Sequence, residues 1–183
     1  MPIFSRDEKT MTRRYPKTNR HKSRQDHPTP WEFVSALEKR FGLIAVDLAS
    51  TARDAKAGRF ISPKENSFKQ DWTNLLNGEN GYLNPEWDPI TPWVEKCIEE
   101  KLKGGRFTVL SQASIDSDWY WAMEKHCCVY TLKSRIRFEG SKHVYPKPLI
   151  LSAFNLKHEP GPTIERGKNG LYRWNWKLDV NGR

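Results

Sequence analysis

The stretch GYLNPEWDPITPW, residues 81–93, joins a strand to a helix through an unusual turn. Its apolar start is typical of a short buried strand, and Thr91 followed by proline is typical of a helix start. Between them stand Asn84, Pro85 and Trp87. A plain loop needs no tryptophan, whereas an amide beside an aromatic ring would suit a site that grips a flat polar ring. The alternative interpretation is an Asn-Pro turn followed by a core tryptophan.

Strand and helix signals alternate on both sides of this stretch. Hydrophobic patterns predict strands at residues 43–50, 81–84, 106–112, 127–132 and 148–154. Helices are predicted at residues 29–42, 91–105 and 116–126. This alternation favours a parallel-type α/β sheet with helices on both faces.

Two of the predicted helices open with the same Thr-Pro pair. Thr29 is expected to cap the first, with Pro30 in its first position and Glu32 completing a capping box. Thr91 is expected to cap the second in the same way. The second helix should also bury one apolar stripe, formed by Val94, Cys97, Ile98 and Leu102.

The C-terminal residues 171–180 show a different period. Apolar and polar side chains alternate there, which predicts a half-buried strand paired with residues 162–166 across a turn at 167–170. Trp174 and Trp176 are interpreted as core residues, with a base-stacking surface as the alternative. Residues 156–183 are therefore expected to form a C-terminal β extension.

The charge of the chain points to a polyanionic partner. Among 183 residues, 31 are basic and 22 acidic, a net charge of +9 that favours nucleic acid over a membrane unless the basic surface is inert. Residues 1–25 hold eight Lys/Arg and two Asp/Glu, or +6. They are predicted to be a mobile tail until they meet a polyanion, with Arg13 and Arg14 as candidate contacts, or else a solubilising end. Residues 26–155 are predicted to form a single domain.

The cysteines and the hydropathy pattern indicate a reduced, intracellular protein. Cys97, Cys127 and Cys128 are odd in number and suggest neither a disulfide framework nor a zinc site, and the last two are expected to pack in a strand. No early apolar run resembles a signal peptide, and no stretch approaches the roughly 18 apolar residues of a membrane span. The sequence gives no indication of oligomeric state.

Polar residues follow two of the predicted strands, where an α/β sheet binds its ligands. Asp47, with small residues such as Ala49 after it, could bind an amine or a ribose, or could simply cap a turn. Asn84 and the carbonyl of Pro85 could accept both hydrogens of an exocyclic amine, while Trp87 stacks on its ring. The amine lone pair would then point at a cationic methyl donor, so that orientation and electrostatics carry the reaction. An adenine in a duplex would have to be flipped out to reach such a site.

The order of these motifs resembles the phage-type, Dam-like DNA N6-adenine methyltransferase family. The similar segments, in chain order over residues 26–154, are TPWEF, LIAVDLAST with DAKAGRFI, NSFKQDW, GYLNPEWDPITPWVEKC, SDWYW, SRIRF and YPKPLILSAF. The resemblance implies a single-domain, Rossmann-like fold that uses S-adenosylmethionine to methylate adenine in DNA, in the cytoplasm of a phage's bacterial host.

The resemblance also assigns roles to residues. It implies a target-adenine site formed by Asn84, Pro85 and Trp87. It implies cofactor contacts by Thr29, Pro30, Asp47, Ala49, Asp71 and Trp72. It implies DNA contacts by Arg135 and Arg137, although either arginine could instead pair with a carboxylate at the edge of the core.

Three residues depart from the family pattern. Glu86 stands where a second proline is usual. The segment LSQAS, which contains Gln112, stands where Leu-Pro-Ala is usual. His27 stands near a position where a tryptophan is expected. The acceptors proposed for the amine do not include Glu86, so that substitution is compatible with activity. Two other functions therefore stay open: a degenerate relative that only binds DNA or cofactor, and a methyltransferase for another planar amine, in RNA or a small molecule.

Overall fold

The structure, a computed structural model, describes residues 27–158, 161–167 and 171–180. Arg13, Arg14 and the rest of the basic segment 1–25 lie outside these residues. The helices are α1 Trp31–Phe41, α2 Trp72–Leu76, α3 Thr91–Leu102, α4 Asp118–Glu124 and α5 Trp176–Val180, with a 3₁₀ turn at Ser67–Lys69. The strands are β1 Ile44–Asp47, β2 Arg59–Phe60, β3 Asn80–Leu83, β4 Arg106–Gln112, β5 Cys128–Leu132, β6 Leu149–Phe154, β7 Ile164–Arg166 and β8 Tyr172–Trp174.

The eight strands form one mixed sheet in the order β2-β1-β3-β4-β6-β5-β8-β7. Strands β2, β1, β3 and β4 are parallel, whereas β6 runs antiparallel to both β4 and β5. β5 and β8 are again parallel neighbours. The prediction of a parallel-type sheet is therefore correct for most strands and wrong for β6. The reason is the connection before β6: residues 133–148 form no helix, and antiparallel neighbours need no helical crossover.

The sheet has a hydrophobic core on each face. Tyr82 and Leu83, adjacent in β3, point into different cores because successive side chains of a strand alternate. Helices α1 and α5 contribute to the first core, and α2, α3 and α4 to the second. The prediction of helices on both faces is confirmed.

The helix starts differ from the sequence prediction by one residue. Pro30, not Thr29, occupies the N-cap of α1, and Ile90, not Thr91, that of α3. The Thr29 hydroxyl lies 2.7 Å from the hydroxyl of Tyr82, so it is engaged with the sheet and not with the helix.

The buried face of α3 is more polar than predicted. Val94 and Cys97 are buried as expected, but Leu102 is 69% exposed. Lys96 and Glu100 are buried in its place, and their side chains form an ion pair of 2.6 Å. A buried charge is tolerated when it is paired and hydrogen-bonded. The apolar pattern of the sequence therefore did not predict which residues of α3 are buried.

The predicted C-terminal strand is only half correct. β8 pairs antiparallel with β7, as predicted, and it also joins the main sheet by pairing with β5. After Trp174, however, the chain turns into α5. This helical turn brings the Asp179 carboxylate within 2.8 Å of the Trp174 indole N–H, and the same carboxylate binds Arg40. Trp174 and Trp176 are both fully buried, so their interpretation as core residues is confirmed.

The remaining features are a short strand, the three cysteines and the lengths of the helices. The short strand β2 lies between the first two predicted strands, in a polar segment for which no strand was predicted. All three cysteines are within the described ranges and are free thiols. Of the two predicted to pack in a strand, Cys128 begins β5 but is exposed, and Cys127 lies just before β5 and is half-buried. Of the helices in the described part of the chain, none has the length and apolar character needed to cross a bilayer.

Candidate active site

A cavity of about 700 Å³ opens beyond the carboxyl ends of β1 and β3. These strands are parallel neighbours, with Asp47 in register with Tyr82, so the residues that follow them meet at one edge of the sheet. Five residues predicted for the site line this cavity together: Thr29, Asp47, Ala49, Asn84 and Pro85. The volume is within the usual range of about 300–1,000 Å³ for ligand sites.

The side-chain amide of Asn84 is fixed by two acceptors. Its Nδ2 donates to the backbone carbonyl of His27 at 2.8 Å and to Oγ1 of Thr29 at 3.2 Å. A carbonyl cannot donate, so the nitrogen must be the atom that faces His27, and the usual ambiguity between the two ends of an amide does not arise. Oδ1 is left as the acceptor. Within the described ranges neither this oxygen nor the carbonyl of Pro85 accepts a hydrogen bond.

Asp47 is a buried carboxylate at the other side of the cavity. Its Oδ2 accepts the backbone N–H of Lys56 at 2.9 Å, and its Oδ1 that of Ala49 at 3.4 Å. Burial raises the pKa of Asp47 to about 6, against the hydrogen bonds that lower it. Each oxygen keeps a lone pair, so this carboxylate can accept hydrogen bonds from a ligand hydroxyl or amine.

Phe68 and Trp93, which were not among the predicted site residues, form a wall of the cavity. The rings of Phe68 and Trp93 lie 4.2 Å apart between centroids and are tilted by 42°. Asn66 supports them: it has a positive φ of 59°, and its side chain accepts the backbone N–H of Phe68. Their only signal in the sequence was an aromatic residue within a polar, loop-rich segment and another at the start of a helix.

Three residues predicted to contact a cofactor do not line the cavity. Asp71 caps α2 by accepting the N–H of Asn74 at 2.9 Å. Trp72 is fully buried, and its indole N–H donates to the carbonyl and hydroxyl oxygens of Ser67 at 3.0 Å. Pro30 is buried at the N-cap of α1. Trp72 therefore supports the cavity through Ser67, which does line it.

Trp87 lies beside the cavity and not in its lining. Its indole N–H donates to the carbonyl of Leu110 at 3.2 Å. Its ring packs against His27, Phe138 and Tyr145, with centroids 5.2–5.9 Å away. The ring of Trp87 is therefore part of an aromatic cluster that borders the cavity through His27.

The three departures from the family pattern have distinct surroundings. Glu86 is exposed and lines the mouth of the cavity. Gln112 donates to the hydroxyl of Tyr145 at 2.7 Å. His27 belongs to the same aromatic cluster as Tyr145, and its backbone carbonyl holds Asn84. None of the three blocks the acceptor side of the Asn84 amide.

Arg135 and Arg137 are exposed on the segment that joins β5 to β6. This segment, residues 133–148, carries five Lys/Arg and one Asp/Glu. The single acid, Glu139, pairs with the buried Lys56 at 3.2 Å. Arg135 lies near the aromatic cluster, since its guanidinium donates to the carbonyl of Tyr145 at 3.4 Å. The segment therefore presents positive charge next to the cavity.

Open α/β sheets bind their ligands beyond the carboxyl ends of the strands, and the cavity of this mixed α/β sheet lies there. The chain belongs to the DNA N-6-adenine-methyltransferase (Dam) family, whose sequence profile matches residues 17–149. The resemblance read from the sequence is confirmed, and with it the prediction of an adenine-specific DNA methyltransferase.

Two curated relatives are similar over much of the chain. One is a DNA N-6-adenine-methyltransferase of Haemophilus phage HP1, 27% identical over an aligned length of 148 residues; the alignment covers 74% of this chain and 83% of the relative. The other carries the same name in Escherichia phage T1 and is 28% identical over 109 residues, which are 59% of this chain and 44% of the relative. No solved structure matches the chain significantly.

Proposed function

We propose that this protein transfers a methyl group from S-adenosylmethionine to the N6 amine of adenine in DNA. The observation that carries the proposal is the orientation of Asn84, whose amide nitrogen is bound to His27 and Thr29 while its oxygen is left for a ligand. Family membership supports the same reaction.

The target amine would be held by two oxygens. Oδ1 of Asn84 and the carbonyl of Pro85 would each accept one amine hydrogen, which leaves the nitrogen lone pair as the free position. Positioning of this kind accounts for much of the rate that an enzyme gains when it needs no strong base. Such a site takes one base at a time, so we propose that adenine is flipped out of the duplex before it binds.

The residues near Asp47 fit S-adenosylmethionine. The buried carboxylate would accept hydrogen bonds from the ribose hydroxyls or the amino group, and Ala49 allows close approach. Phe68 and Trp93 would provide an apolar wall for the adenine ring of the cofactor. When bound, S-adenosylmethionine supplies a methyl group on a cationic sulfur. We assign Asp71, Trp72 and Pro30 to support of this region, since none lines the cavity.

DNA would approach the side of the cavity that carries residues 133–148. Arg135 and Arg137 are exposed there and would contact phosphates, which position a protein without reading bases. Arg13 and Arg14 in the basic tail would add contacts of the same type. The proposal places the reaction in the bacterial cytoplasm, where phage DNA is found.

The architecture behind this function is proposed to be Rossmann-like, with residues 26–155 as the methyltransferase domain and 156–183 as an extension. The parallel half-sheet β2-β1-β3-β4 with its cavity at the carboxyl ends supports this view. The pairing of β8 with β5 makes the extension a continuation of the same sheet.

The test is methyl transfer from labelled S-adenosylmethionine to unmethylated duplex DNA, RNA of the same sequence and free adenine. The proposal expects labelled duplex DNA and little label in the other two. Label mainly in RNA or free adenine would favour a methyltransferase for another planar amine. Cofactor binding without transfer to any acceptor would favour a relative that has lost activity. In that case Glu86→Pro would be the first substitution to test for restored transfer.

A further inference from the structure

The amide of Asn84 is held by more than the carbonyl of His27. One hydrogen bond leaves a side-chain amide free to swing about its last torsion, whereas two bonds to the same nitrogen fix its plane. The second acceptor is Oγ1 of Thr29, 3.2 Å from Nδ2. Thr29 is only 2% exposed, so water does not compete strongly for this contact.

Thr29 is in turn held by Tyr82. Its Oγ1 lies 2.7 Å from the hydroxyl of Tyr82, a residue that is 1% exposed. Burial raises the pKa of Tyr82, so the phenol keeps its proton and can donate. Among the described residues Thr29 is the partner of this hydroxyl, and either oxygen can donate in the contact. In both cases Oγ1 of Thr29 is held by Tyr82 while it accepts from Nδ2 of Asn84.

The fold explains why these three residues meet. Tyr82 and Asn84 are two positions apart at the end of β3, so their side chains leave the strand on the same side. Thr29 lies just before α1, which packs on that side of the sheet. The relay Tyr82–Thr29–Asn84 thus links the start of α1 to the end of β3.

We propose that Thr29 and Tyr82 are positioning residues for methyl transfer, which hold the amide of Asn84 with its oxygen toward the target amine. The inference rests on the proposed function of Asn84 and assigns Thr29 a different role from the cofactor contact that the family resemblance implies. Tyr82 also borders the cavity, but it is only 1% exposed, and in this scheme it acts through Thr29.

The experiment compares Thr29→Val and Tyr82→Phe, which remove one hydroxyl each at nearly constant shape. Thr29→Val should lower kcat on the order of 10²-fold, because a misplaced catalytic group costs about that much. Tyr82→Phe should lower kcat roughly tenfold, since it removes a single buried hydrogen bond. The dissociation constant of S-adenosylhomocysteine should stay within about twofold of that of the unsubstituted protein, because neither hydroxyl binds cofactor in this scheme.

Three further variants make the result specific. Thr29→Ser keeps the hydroxyl and should restore most of the turnover. Tyr82→Phe combined with Thr29→Val should be no worse than Thr29→Val alone, because the relay is already broken at Thr29. Tyr130→Phe is the matched control, because it removes the hydroxyl of another buried tyrosine. That hydroxyl lies 2.9 Å from Nδ1 of His158 and does not line the cavity, so turnover should be unchanged.

A readout that does not need turnover separates this inference from the proposed function. In ¹⁵N-labelled protein, the side-chain NH₂ signal of Asn84, assigned by its absence in Asn84→Ala, should show slow hydrogen exchange that Thr29→Val and Tyr82→Phe accelerate. Faster exchange in a protein that methylates no DNA would uphold the relay and reject the function. Unchanged hydrogen exchange and unchanged kcat in both variants would overturn the relay. It would also be overturned if weaker binding of S-adenosylhomocysteine explained the whole loss of activity in Thr29→Val.

Discussion

Asn84, at the end of β3, donates its side-chain amide to the backbone carbonyl of His27, 57 residues earlier in the chain. Because that carbonyl can only accept, the contact decides which end of the amide faces the cavity. A single hydrogen bond thereby converts an Asn-Pro turn into a site with a defined acceptor. Its consequences can be tested residue by residue.

Replacement of Asn84 should separate chemistry from cofactor binding. Asn84→Ala removes the proposed acceptor and should lower kcat on the order of 10²-fold or more. Affinity for S-adenosylhomocysteine should be nearly unchanged, because Asp47 and the Phe68–Trp93 wall are intact. Single-turnover rates and a binding titration on the same preparation provide the two numbers. Turnover close to that of the unsubstituted protein would reject the assignment of Asn84.

Trp87 should prove structural. Its ring packs with three other aromatic rings and its N–H binds Leu110, so Trp87→Ala should lower the free energy of unfolding by about 2–4 kcal/mol, somewhat below the usual cost for a fully buried tryptophan. Trp87→Phe keeps a ring and should recover part of that loss. Denaturant unfolding measures both variants. A stable Trp87→Ala protein with weakened binding of a flipped base would instead restore the stacking role.

Asp47 should make both stability and cofactor binding depend on pH. Its pKa is raised by burial from 3.8 to about 6, so the folded state holds the proton more tightly than the unfolded chain. The free energy of unfolding should therefore fall as pH rises between these values, by about 3 kcal/mol for this group. Asp47→Asn should abolish that slope, as measured by denaturant unfolding across the range.

Cofactor affinity should change with pH in the opposite direction. The ionised carboxylate is the better acceptor, so S-adenosylhomocysteine should bind more weakly as pH falls through about 6. Asp47→Asn should bind weakly at every pH. Asp71→Asn is the matched control, since asparagine also caps helices well and Asp71 lies outside the cavity lining. A matching loss in Asp71→Asn would return that residue to the cofactor site.

The carboxylate of Asp179 should be among the most important single groups for stability. It accepts hydrogen bonds from Arg40, from the indole of Trp174 and from the hydroxyl of Thr163, and it is buried. Removal of one partner of a buried ion pair typically costs about 3–5 kcal/mol, and Asp179→Ala should show a loss of that size in denaturant unfolding. The exposed Asp116→Ala is the control and should be nearly neutral. A loss below about 1 kcal/mol would mean that α5 contributes little to the fold.

Much of the site could be predicted from the sequence because its signals are local. Asp47 and Asn84 each follow a short apolar run, and adjacent parallel strands bring such residues to one edge. Phe68 and Trp93 were missed because an aromatic residue in a polar loop, or at a helix start, looks the same whether it faces a cavity or a core. Thr29 was predicted as a helix cap on local grounds, but its partners are more than 50 residues away.

The errors in the fold have a similar origin. Strand order in a sheet depends on long-range pairing, so nothing within residues 149–154 indicates that β6 inserts between β4 and β5 in the antiparallel direction. Alternation through Trp176 predicted a strand, but the contacts of Asp179 with Arg40 and Trp174 favour a helical turn. In both places tertiary contacts outweigh the local pattern.

The basic tail should contribute affinity without specificity. Residues 1–25 carry +6, and for each DNA phosphate that they neutralise, their deletion should reduce the slope of log K against log salt by roughly 0.9. Their deletion should also weaken binding about equally for all sequences, because phosphate contacts do not read bases. Titrations at several salt concentrations compare the truncated and full chains. An unchanged slope would exclude the tail from binding, and disappearance of the sequence preference would mean that it reads a groove.

Nucleoside mass spectrometry would show whether this protein methylates the N6 amine of adenine. Unmethylated duplex DNA would be incubated with the full chain and S-adenosylmethionine, with Asn84→Ala as the control, and then digested to nucleosides. The amine and ring nitrogen of cytosine offer the same donor and acceptor pattern to Asn84, so both methylated products must be measured. We expect N6-methyldeoxyadenosine with the full chain and almost none with Asn84→Ala. N4-methyldeoxycytidine, or equal amounts of product from both proteins, would contradict it.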